Sequence, residues 1–131
     1  DLAANCGVTA YGPSSGGNVA DLALPLTPNV GGKATLELWN FSGNGVALLF
    51  ISTEPSFAPL FDGTLLINLN KNVLGPGGYV PVSVMAGTGQ VTFGLPPSLA
   101  GLTFYCQAAM ADPLLPSGFA FTNGLEVTVC N

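Results

Sequence analysis

Glycine and proline punctuate this chain so densely that no run of regular structure can be long. Eighteen Gly and eleven Pro among 131 residues separate short stretches of Val, Leu, Ile, Phe and Thr, the pattern of many strands joined by turns. A 3.6-residue apolar period never persists for ten residues, so almost no helix is expected. The length fits one domain with a buried core. The expected fold is all-β, with about eight to ten short strands in an antiparallel two-sheet β-sandwich, Ig-like or jelly-roll-like.

The strand pattern can be followed along the chain. Residues 3–11 read as a first strand, and the Gly/Ser segment 12–17 after it makes residues 1–17 a separable N-terminal arm and linker. In 19–26, alternation turns Leu22 and Leu24 toward the core. Residues 33–41 and 46–53, joined by Ser42-Gly43-Asn44-Gly45, give the best hairpin signal. The apolar run Val46–Ile51 belongs in the middle of a sheet covered on both faces, or on a face covered by another subunit. Residues 54–62 carry two prolines with Phe57 and Phe61 and read as a long loop pinned by buried rings. A strand is expected over 63–70, and a second hairpin over 79–85 and 90–95. Further strands are expected at 102–110 and 124–130, joined by a Pro-rich crossing.

Charge is scarce. The chain has two Lys, no His or Arg, and seven acidic residues, for a net charge of −5. Charged residues make up 7%, against roughly 25% in average soluble domains. Lys33 and Lys71 cannot build the basic surface that phosphate backbones or anionic lipids require, so neither nucleic acid nor an anionic membrane is expected as a partner. Membrane insertion is not expected either, because the apolar runs fall short of the roughly 20 residues a spanning helix needs. With no His to activate a nucleophile and scattered carboxylates, no enzyme and no cofactor are expected. So apolar and neutral a surface is a solubility liability unless neighbouring copies bury it.

Three cysteines fit an oxidising compartment. They allow three single pairings. Cys6 and Cys130 lie near opposite termini, which are often close in space, and that pairing is favoured, with Cys106 left as a buried free thiol on the face of Leu102 and Phe104. Cys106 with Cys130 is the alternative. Asn68, Asn70 and Asn72 alternate near Asp62 and form a weak Ca²⁺ candidate short of carboxylates; no metal is favoured. Asn40-Phe41-Ser42 matches the glycosylation sequon at Asn40. Trp39, Tyr11, Tyr79 and Tyr105 are the aromatic rings available to carbohydrate, although core packing is their commoner fate.

Four segments carry a family resemblance: Gly45–Ser52, Leu102–Ala108, Asp112-Pro113 and Thr122–Val129. Together they resemble a β-sandwich module of secreted and surface proteins of environmental bacteria, over roughly residues 30–131. The resemblance implies an extracellular, non-enzymatic module. A first residue other than Met fits export by a cleaved signal peptide to the extracellular space or cell surface.

These readings converge on a secreted structural subunit that self-assembles into a filament, tube or surface layer. Its expected partner is itself, through strand addition of the N-terminal arm, anchored by Leu2, Val8 and Tyr11, to the next copy. The alternatives are a monomeric adhesion or carbohydrate-binding module and a jelly-roll capsid or tail protein.

Overall fold

The computed structural model describes residues 6–13, 20–25, 28–60, 63–75, 78–112 and 118–130. Leu2 of the arm and Asp62 of the calcium candidate lie outside them, as do most of the Gly/Ser linker and Phe61. The described residues are all-β. They form β1 (Gly7–Tyr11), β2 (Asp21–Ala23), β3 (Lys33–Trp39), β4 (Gly45–Ser52), β5 (Pro55–Leu60), β6 (Gly63–Ile67), β7 (Val80–Val84), β8 (Gly89–Gly94), β9 (Thr103–Ala111), β10 (Phe119–Phe121) and β11 (Gly124–Thr128). Among the described residues the helical content is two short 3-10 turns, Leu69–Lys71 and Pro97–Leu99.

Three antiparallel sheets result. The largest runs β1-β11-β9-β4-β7, with β10 pairing the far end of β9 beyond β11; β2-β3-β8 form a second sheet and β5-β6 a two-stranded third. Alternation decides what each strand buries. Leu22, Leu36 and Leu38 of the second sheet share one buried cluster with Ala47, Leu49, Val82, Val84, Ala108, Met110 and Leu125 of the first. Leu38 and Leu49 are fully buried, and each such side chain contributes about 1.5–3 kcal/mol of hydrophobic stabilisation. The expectation that Leu22 and Leu24 face the core holds. Pro81 fits the first sheet because β7 is an edge strand, where its missing N–H breaks no ladder.

Both expected hairpins are corrected. β3 pairs with β2 and β8, whereas β4 pairs with β7 and β9, so residues 40–44 carry the chain from one sheet to the other. Likewise β7 and β8 share only the Met85–Thr88 bridge before entering different sheets. The two crossings lock together. Phe41 N–H donates to Gly87 O at 3.1 Å, Gly87 N–H to Gly43 O at 2.8 Å, and Ala86 N–H to Asn44 Oδ1 at 2.7 Å. Gly87 has φ +83°, and a Cβ there would sit 2.5 Å from Phe41 O, so only glycine fits this contact. Asn40, at φ 65°, breaks the alternation of β3 and turns Phe41 into the core.

Residues 54–62 also differ from expectation. Residues 55–60 form strand β5, which pairs with β6 across a register shift between Pro55 and Ala58. Pro55 opens this strand and Pro59 sits in a two-stranded ribbon, positions where proline is tolerated. Phe57 is 67% exposed rather than buried.

Candidate functional site

Three features of the first sheet could carry function: the fastened N-terminal strand, the outer face beneath the β5-β6 ribbon, and a cavity on the inner face. The N-terminal strand comes first. β1 pairs with β11 of its own chain from Gly7–Thr128 to Tyr11–Gly124. Cys6, just before it, forms a disulfide with Cys130, with Cα atoms 5.2 Å apart. Val8 therefore lies beside Val127 and packs against the inner core. Tyr11 takes the opposite face, and its ring lies over Gly124 in the space a side chain would fill.

On the outer face, Tyr11 meets Tyr105 edge-on at 6.0 Å and Phe57 at 5.9 Å. Its hydroxyl donates to Leu66 O at 2.6 Å, tying the β6 backbone to β1. Burial and the neighbouring Cys106, Tyr105 and Glu126 push its phenol well above the ordinary range. Tyr105 is raised too, by desolvation and then by Glu126 opposite it on β11. Both rings carry neutral hydroxyls at physiological pH.

Gln107 completes the attachment, and sequence reading overlooked it. It is 1% exposed. Its Oε1 accepts from Leu66 N–H at 2.8 Å, while Nε2 donates to Thr64 O at 2.8 Å and Thr122 O at 3.0 Å. One amide thus joins β6, β9 and the segment before β11. The available signal was a lone amide within Tyr105-Cys106-Gln107-Ala108-Ala109, where a buried polar group must find partners. Beside the ribbon, Val46, Leu48, Phe50, Leu65, Leu69 and Phe119 line an apolar groove of about 280 Å³. Val46 is 55% exposed.

On the inner face, Cys106 is free and buried, and desolvation pushes its thiol up to about 12. It stays protonated at neutral pH and is a poor nucleophile. It lines a cavity of about 350 Å³ between the two sheets.

The remaining sequence candidates are dispersed. Asn68 Oδ1 accepts from Asn70 N–H and caps the 3-10 turn. Asn72 Oδ1 accepts from Leu74 N–H, and its Nδ2 donates to Gly78 O. These side chains fold a loop, and among the described residues no three His, Cys, Asp or Glu side chains cluster as a metal site. Asn40 is exposed after β3. Of the four aromatic candidates, Tyr11 and Tyr105 come together. Tyr79 packs instead on Phe50 at 6.3 Å, and Trp39 Nε1–H donates to Glu37. Among the described residues no helix is long and apolar enough to cross a membrane. No protein-family model, no curated protein and no solved structure matches the chain, and its function has to be read from its own residues.

Proposed function

We propose that this chain is an exported, non-catalytic structural module that associates with further copies of itself through uncharged apolar surface. The observation that carries the reading is the open groove on the outer face, where Val46 and Phe119 stand exposed at its margins. A patch of this kind on a chain with two lysines is better covered than left in water. Phe57 and Met85, at 67% and 71% exposure, are further large apolar side chains left in solvent. The contact falls on this face rather than on a donated strand. Moving β1 to a neighbour would break five register pairs with β11 next to a closed disulfide. Export accords with that disulfide, and a non-catalytic role with a protonated free thiol and a chain without His.

Sedimentation velocity over a hundredfold concentration range, with electron microscopy of the concentrated sample, tests this reading. The expected result is concentration-dependent growth above 13.2 kDa, reduced by Val46→Lys with Phe119→Ser. A single 13.2 kDa species at every concentration overturns self-association. It would leave the exposed Phe57, beside Tyr11 and Tyr105, as the place to look for an adhesive ligand.

A further inference from the structure

Self-association leaves the cavity between the sheets unused. Its walls pair inward positions of both layers: Ala34 and Leu36 from β3, Phe93 from β8, Ile51 from β4, and Phe104 and Cys106 from β9. Every residue lining it is Ala, Val, Leu, Ile, Phe, Gly or Cys. Whatever lies inside therefore meets no charge and no strong hydrogen-bonding side chain, and any polar group it carries must stay at the rim. Val73 and Leu74, 44% and 48% exposed, are where the lining meets solvent. Beside them Asn72 bends the backbone back, its Oδ1 accepting from Leu74 N–H and its Nδ2 donating to Gly78 O.

Size sets the rest. Close-packed interiors hold few voids larger than a water molecule, whereas this one measures about 350 Å³. An apolar cavity of roughly 150 Å³ stays dry and takes up benzene. A half-open space more than twice as large, walled by residues of both sheets, suits a narrow hydrocarbon chain.

We propose that this cavity is a binding site for one unbranched alkyl chain of up to about fourteen carbons, scaled by volume from six-carbon benzene in its smaller cavity, with a weakly polar head group left at the Val73–Leu74 rim. The neutral wall disfavours a buried carboxylate and favours an alcohol, ester or amide head at the rim. Cys106 serves as part of an inert wall.

The chain carries its own control, because Ile51 and Ile67 are its two isoleucines. Ile51 lines the cavity, and Ile67 is fully buried in β6 away from it. The intact protein, labelled at the isoleucine δ1 methyls, would be titrated by NMR with 1-hexanol, 1-octanol and 1-decanol. The Ile51 signal should move while Ile67 stays still. The dissociation constant should tighten about fourfold per added methylene, from about 0.8 kcal/mol per buried CH₂. Cys106→Leu, which fills the wall, should weaken 1-octanol binding at least tenfold. An unmoved Ile51, equal movement of both methyls, or affinity independent of chain length overturns the proposal. So does undiminished binding by Cys106→Leu. Neutral phosphatidylcholine vesicles then separate the sources, given the Ile51 response. Co-sedimentation competed by 1-octanol assigns the chain to a lipid, and absence of co-sedimentation assigns it to a free amphiphile.

Discussion

Replacing Gln107 by Met keeps the length of the side chain and removes both ends of its amide. Leu66 N–H, in a fully buried residue, loses the acceptor 2.8 Å away. Thr64 O and Thr122 O lose their donor, although half-buried Thr64 can turn to water. A buried polar group left without a partner costs about 1–3 kcal/mol. One N–H lost in full and one carbonyl in part amount to about 3 kcal/mol, a large fraction of the 5–15 kcal/mol typical of a domain. Urea unfolding should register this as a lower midpoint at constant slope. If the β5-β6 ribbon instead lifts off as a unit, the loss appears as faster hydrogen exchange at Leu66, with the midpoint nearly unchanged. A variant that keeps both its unfolding free energy within about 0.5 kcal/mol of the native value and the exchange rate of Leu66 would refute the claim that this amide holds the outer ribbon.

Two further outcomes are expected. Cys6→Ala with Cys130→Ala opens a closure spanning 124 residues, and chain entropy puts the loss at up to about 5 kcal/mol; reductant should lower the urea midpoint of the native protein alike and leave the double variant unmoved. Above pH 9.0, the thiol's ordinary value, an unfolded chain ionises while Cys106 holds its proton to about 12. The unfolded state then binds fewer protons, so stability is intact below pH 9 and falls by up to about 1.4 kcal/mol per pH unit above it. Cys106→Val should flatten that slope without abolishing it, because the raised Tyr11 phenol acts in the same sense above its ordinary value of 10.0; an unchanged slope would exclude the thiol as its source.

Local pattern was legible in the sequence where a residue's own neighbours decide its state. Alternation placed Leu22, Leu24 and Cys106 inward, and the apolar run of β4 marked a central strand. The Cys6–Cys130 pairing followed from the expected closeness of the termini. Partner choice was not legible, because a turn rich in Gly and Asn suits a sheet-to-sheet crossing as well as a hairpin. Gly87 decides between the two through its backbone contact with Phe41 and Gly43 in a distant loop. The β5 prolines signalled a loop, yet a two-stranded ribbon tolerates them once Gln107 and Tyr11 tether it. The cavity had no local signal at all, since Ile51, Phe93 and Cys106 look like ordinary core positions until the gap between the sheets is seen.

The bond between residues 6 and 130 also changes how the molecule carries load. Tension applied outside the two cysteines passes through a bridge spanning 5.2 Å instead of through the sheets. Without that bridge, the separation of 124 positions could pay out to roughly 400 Å of extended chain. With it, the strands, the ribbon and the cavity sit in a mechanically unloaded loop. Wherever load enters beyond the two cysteines, such a unit acts as an inextensible link whose interior keeps its shape.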